Sequence, residues 1–188
     1  KYSQMGDWAG PIFGTDHNSI GAGAVSAITP TRFIGTCYFY YNCLILEKMA
    51  AVLGRDEDVS TYIALAEKIR RSLLENYYDP SRKCFASNSQ ASNTLPLYLG
   101  IEDPADREEM RGNIVADIAK NGTHLTTGNR CTRYIIEVLL THGHEDLAFT
   151  LLSQTEYPSW GYMIENGATT MWERWEHITE GPLLYMAS

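Results

Sequence analysis

The strongest constraint in the chain is an alternation between two kinds of helix. Residues 31–53 carry apolar side chains almost all the way round, which predicts a helix with protein on every side. Thr29-Pro30 opens that segment and Gly54 closes it. Residues 58–78 differ. Val59, Tyr62, Ala66, Ile69, Leu73 and Tyr77 recur at three- and four-residue steps, while Glu67, Lys68, Arg70, Arg71 and Glu75 lie off that stripe, so one face is wet. The pair then recurs. Gln90 to Leu99 is short, weakly charged and bounded by Gly100. An amphipathic stretch follows, opened by Asp103-Pro104, with Met110, Ile114 and Ile118 on one stripe. Cys131 to Leu140 is again apolar-rich. After His142-Gly143-His144, which reads as an exposed turn, comes a short segment with Leu147, Leu151 and Leu152. A further helical start is expected at Ala168 to Trp175, and strands only near Lys83 to Ala86 and Tyr157 to Ile164. Pro96 falls inside an expected inner helix and implies a kink or a later start there.

Buried helix, amphipathic helix, short link, repeated, predicts an all-α toroid of hairpins of the (α/α)6 type. An inner ring is enclosed by an outer ring whose far side meets water. About three and a half hairpins can be traced, where closure takes six. Residues 1–188 therefore read as one partial barrel domain, with helices missing upstream and downstream. An open arc leaves inner-helix faces uncovered, which predicts association into a homo-oligomer or with the missing chain.

Composition narrows the function classes. The net charge of -8 argues against nucleic-acid binding, where a basic stripe would be expected. No apolar run reaches the roughly 18 residues of a membrane span. The four cysteines, Cys37, Cys43, Cys84 and Cys131, form no CxxC pair and read as structural thiols. Nucleophile-elbow, phosphate-loop, dinucleotide and HExxH motifs do not occur, so neither a cofactor nor a metal is expected. Bacterial cytoplasm and periplasm both remain open as compartments.

In a barrel of this kind, chemistry sits at the mouth, beside inner-helix ends, and four segments stand out. Gly6-Asp7-Trp8, ahead of a glycine-rich stretch (Gly10, Gly14, Gly21, Gly23), suits sugar binding: the indole stacks on a pyranose while the carboxylate takes hydroxyl protons. The plain alternative is a tryptophan that anchors a loop with Asp7 capping it. Residues 87–93 offer many uncharged hydrogen-bonding groups, or simply an N-cap. Residues 122–128 place Thr and His side chains towards a cavity, or in a polar turn. The fourth segment, residues 157–176, sets Glu173 between Trp172 and Trp175 in what reads as the first turn of an inner helix. A carboxylate beside indole rings loses hydration, which suits general-base work. Arg174 could counter this by pairing with it, and a helix N-terminal acid favoured by the macrodipole is the plain alternative.

With these segments in order (GDW, TPTRFIGTCYFYYN, SNSQASNTLPLYLG, NGTHLTTG and QTEYPSWGYMIENGATTMWERW) the chain resembles the α-L-rhamnosidases of glycoside hydrolase family 78 from about Gly6 to Ser188. The resemblance implies an (α/α)6 barrel and removal of terminal α-L-rhamnose from an oligosaccharide or glycoside, with inversion. Two carboxyl groups about 6.5–9.5 Å apart do this work, one protonating the leaving oxygen and one activating water. It implies Glu173 as general base and Trp8, with Asp7 beside it, in the rhamnose pocket. Trp160, Trp172 and Trp175 are carried over as substrate-binding by proximity within the matching motif. The family's general acid belongs to a DxxxRxERxGWxGD-type motif, which does not occur here, and a histidine motif expected soon after WERW is also missing. This chain alone is therefore expected to be inactive, its parent protein active. Two other readings stay open: a non-catalytic carbohydrate-binding relative, and another α-toroid sugar enzyme such as an epimerase. Which rhamnoside is cleaved is not written in these residues.

Overall fold

A computed structural model describes residues 6–12 and 28–176. Seven helices and one small ribbon follow in order: α1 (Thr31–Val52), α2 (Asp56–Tyr77), β1 (Tyr78–Asp79), β2 (Cys84–Phe85), α3 (Gln90–Leu99), α4 (Arg107–Lys120), α5 (Thr132–Thr141), α6 (Glu145–Ser153) and α7 (Trp160–Glu165). A 3-10 turn, Pro104–Asp106, leads into α4. Contacts run α1–α3 and α3–α5 along an inner row, while α2 backs α1, α4 backs α3 and α6 backs α5. This is the alternating hairpin arc expected from the two kinds of helix. No described helix is long and apolar enough to cross a membrane.

The core lies between the two rows. Phe33, Ile34 and Cys37 of α1 meet Ile69 and Leu73 of α2, Leu95 of α3, Ile114 and Ile118 of α4, and Ile135 and Leu139 of α5. Burying one such large side chain stabilises the fold by roughly 1.5–3 kcal/mol. Phe33 also sits edge-on to Tyr77 and tilted against Phe85, with ring centroids 5.3 and 5.9 Å away, which ties the first hairpin to the ribbon. The four cysteines are buried free thiols. Burial pushes the Cys37 and Cys131 thiols well above their ordinary range.

α3 explains why residues 87–93 are polar yet central. Ser89 accepts from the Ser92 amide while Ser92 Oγ accepts from the Ser89 amide, a reciprocal cap. Gln90 reaches across to residues 124 and 126, donating to the His124 carbonyl at 3.0 Å and accepting from the Thr126 amide at 2.9 Å. Asn93 accepts from the Phe85 amide and donates to Asn88. These groups fasten α3 to the segments on either side of it. Pro96 lies within α3 without ending it, and Gly100, at φ 65°, closes the helix in the left-handed region.

Four expectations need correction. α1 is not covered on every side: Phe39, Met49, Val52 and Leu53 are exposed. α2 begins two residues before the expected residue 58, because Asp56, Glu57 and Asp58 fill a first turn where acids are favoured. Residues 157–164 hold no strand. Ser159, extended, caps α7 by accepting from the Tyr162 amide at 3.0 Å, and this local cap outweighs the strand propensity of its aromatic residues. Residues 168–175 form no helix: Gly167, at φ 86°, ends the turn after α7, and the chain then bends irregularly to residue 176. Gly14, Gly21 and Gly23 lie outside the described residues.

Candidate active site

The irregular segment after α7 folds back over the start of α5 and leaves a cleft of about 170 Å³. Pockets for drug-sized ligands span roughly 300–1,000 Å³, so this one is small. Its lining joins Trp160, Met163, Met171, Trp172, Glu173 and Trp175 to Ala9 and to Asn129, Thr132 and Arg133 at the head of α5. Four of the expected residues thus share one cavity: Glu173, Trp160, Trp172 and Trp175.

The tryptophans do different jobs. Trp175 is buried, donates its indole N–H to the Thr127 carbonyl at 2.9 Å, and stands T-shaped to Trp160 with centroids 5.5 Å apart. It is the rear wall, and its polar edge is already used. Trp160 and Trp172 are half-buried and present ring surface to the cleft. Gly161 permits this packing, since a Cβ there would lie 2.3 Å from the Gln154 carbonyl oxygen.

Glu173 is exposed, and its Oε1 accepts the Trp8 indole N–H at 2.8 Å. The two segments singled out as most distant in sequence therefore meet. Trp8 itself is not among the residues lining this cleft, although its neighbour Ala9 is. Arg174 does not neutralise Glu173. It turns inward to Glu176, Nε to Oε2 3.0 Å, and both side chains are almost fully buried. The other Glu176 oxygen accepts from Tyr157 Oη at 2.6 Å and from the Ile12 amide at 3.0 Å. Burial, reinforced by the bond to Glu176, holds the Tyr157 phenol protonated well above its usual range.

Asp7 departs from its expected role. It is fully buried, and its two oxygens accept from the Gly128 amide at 2.7 Å and the Cys131 amide at 3.0 Å. The carboxylate caps the loop that starts α5 and has no edge left for a sugar hydroxyl. Burial pushes its carboxyl up to about 6, against the opposing pull of the Gly128 and Cys131 groups. The Asn129 amide returns a bond to the Trp8 carbonyl at 2.8 Å. Gly128 makes this crossing feasible, because a Cβ there would lie 2.2 Å from the Trp8 carbonyl oxygen. Residues 122–128 follow their plainer reading as a pinned loop: Leu125, Thr126 and Thr127 are buried, and Thr127 shares a hydroxyl bond with Thr132.

Sequence reasoning missed Asn129, Thr132 and Arg133, which bring polar groups to the cleft, and the buried Tyr157–Glu176–Arg174 set beneath it. The cleft residues of α5 carry no motif; only their placement at the head of an inner helix could have marked them.

A hairpin arc with an indole-walled cleft and one carboxylate at its mouth is the architecture of a six-hairpin glycosidase domain. The chain belongs to the family described as the bacterial alpha-L-rhamnosidase 6 hairpin glycosidase domain, whose model matches residues 1–187. It is 36% identical over 154 residues to an alpha-L-rhamnosidase of Streptomyces avermitilis, a match covering 82% of this chain and 15% of that protein. The solved alpha-L-rhamnosidase of Dictyoglumus thermophilum superposes with a TM-score of 0.85 at 35% identity, over 100% of this chain and 20% of that one. The Streptomyces avermitilis enzyme complexed with L-rhamnose superposes at 0.76 with 34% identity, over 91% of this chain and 15% of that one. The chain thus spans a minor part of the length of the relatives it matches.

Proposed function

We propose that the protein carrying this chain is an inverting α-L-rhamnosidase of glycoside hydrolase family 78, in which Glu173 is the general base. The observation that carries this reading is the placement of Glu173. Its carboxylate opens onto an indole-walled cleft sized for one small sugar, is oriented at one oxygen by Trp8, and is left un-neutralised by Arg174. Support for rhamnose as the sugar comes from the Streptomyces avermitilis relative, whose structure holds L-rhamnose.

In this reading the apolar side of a terminal rhamnose rests on Trp160 and Trp172, and its hydroxyls find Asn129 and Arg133. Glu173 takes a proton from a water as that water's oxygen bonds to the anomeric carbon. The bond to the leaving oxygen breaks on the opposite side, where a second carboxyl supplies a proton. The product sugar is inverted, and the two carboxyls stand about 6.5–9.5 Å apart. Among the described residues Glu173 is the one acidic group lining the cleft, so the proton donor is assigned to the family's DxxxRxERxGWxGD-type motif, which this sequence does not contain.

The test is Glu173→Gln in the intact protein, assayed for phenol release from an aryl α-L-rhamnoside. Removing a general base costs about 10²–10⁴-fold in turnover, with an unchanged circular-dichroism spectrum expected. Wild-type turnover in this variant would remove Glu173 from the mechanism. An intact protein unable to hydrolyse any rhamnoside would favour a binding function instead.

A further inference from the structure

We infer that Trp8 is a positioning residue for Glu173, acting through its indole N–H rather than through contact with the sugar, and that Asp7 and Gly128 hold it in place. This rests on the reading of Glu173 as the base. The Trp8 bond, at 2.8 Å, is the one hydrogen bond of the Glu173 carboxylate among the described residues. The charged neighbours in the cleft leave that carboxylate alone: Arg174 is bound to Glu176, and Arg133 leans over the Tyr134 ring, 5.0 Å from its centroid.

The chemistry of the donor matters. A guanidinium would orient the carboxylate and also neutralise it. An indole N–H orients it, stays a donor at every pH the protein survives, and leaves the charge to act on water. With Oε1 occupied, Oε2 is the free oxygen, so the bond selects which lone pair faces the attacking water.

Glu173 sits on an irregular segment with no helical frame of its own, so it needs an external reference. Trp8 supplies one because its backbone is clamped from two sides. Asp7 is locked onto the Gly128 and Cys131 amides, and the Trp8 carbonyl accepts from the Asn129 amide. The head of α5 thereby fixes the base through these contacts of Asp7 and Trp8 and the Trp8 indole bond.

Trp8→Phe in the intact protein keeps an aromatic ring and removes only the donor and its reach. Loss of positioning predicts a fall in kcat on the order of 10²-fold, with KM for an aryl α-L-rhamnoside nearly unchanged. In a Glu173→Gln background, Trp8→Phe should cost nothing further. A rise in KM with kcat unmoved would mean that Trp8 stacks on the sugar, and would overturn the inference; so would wild-type kinetics. Should Trp8→Phe fail to fold, the protein labelled with 5-fluorotryptophan gives a second reading. Exchanging the carboxylate acceptor for an amide in Glu173→Gln should shift one fluorine signal; a fluorine spectrum unchanged by that substitution overturns the inference. Active Glu173→Gln protein would instead sink the assignment of the base.

Discussion

Asp7 puts two opposing effects in direct competition. Full burial favours its neutral form, while two backbone amides at the head of α5 favour the carboxylate. Burial wins, lifting the carboxyl from 3.8 to about 6. Between those values the folded state binds more protons than the unfolded state, so this group's contribution to stability is full below the lower value. It is lost as pH rises through the upper one. At about 1.36 kcal/mol per unit, the loss is about 3 kcal/mol. Asp7→Asn cannot titrate. Its amide accepts from one of the two backbone N–H groups and must turn its own NH₂ towards the other, a pH-independent cost of about 1–3 kcal/mol. The variant should therefore be less stable than wild type at about pH 4 and gain on it by about 2–2.5 kcal/mol by about pH 7. Denaturant unfolding of the intact protein and the variant, followed by tryptophan fluorescence across that range, reads the difference while every other titrating group cancels. A constant offset would show that burial and amide bonds balance. A variant that loses ground as pH rises would show that the amides dominate, and would refute the reasoning.

Two further outcomes follow from buried groups. Glu176→Gln removes the buried carboxylate that accepts from Arg174, from Tyr157 and from the Ile12 amide, and should destabilise the protein by about 3–5 kcal/mol, the cost of breaking a buried ion pair by removing one partner; a melting temperature within a degree of wild type would contradict this. Ser89→Ala breaks the reciprocal cap of α3 and removes the hydroxyl that Thr29 Oγ1 meets at 2.6 Å, at a cost of about 0.5–2 kcal/mol measurable by the same unfolding assay.

The frame was legible because hydrophobic period reports burial directly. The stripe from Val59 to Tyr77 became the face of α2 that packs on α1, and Gln90 to Leu99 became α3 to the residue. Glu173 and the three tryptophans of the cleft were legible as a cluster because they are near in sequence. What stayed hidden depends on partners far along the chain. Asp7 was left open between a sugar ligand and a loop cap, and only the amides of Gly128 and Cys131, more than a hundred residues on, decide for the cap. Arg174 looked like the partner of its neighbour Glu173, but adjacent residues in an irregular segment point apart, and Glu176 was better placed. The helix α7 was hidden by residues that favour strands, its one marker being Ser159 three residues before Tyr162.

Trp8 and Glu173 are 165 residues apart in the chain. Each hairpin, by contrast, closes over a short turn, and contacts of short sequence separation form soonest. A polypeptide emerging from the ribosome would accordingly acquire its helical stack well before its reactive corner. Helix content alone is thus a poor proxy for competence in this protein, and a probe of the Trp8–Glu173 pair would report when assembly is finished.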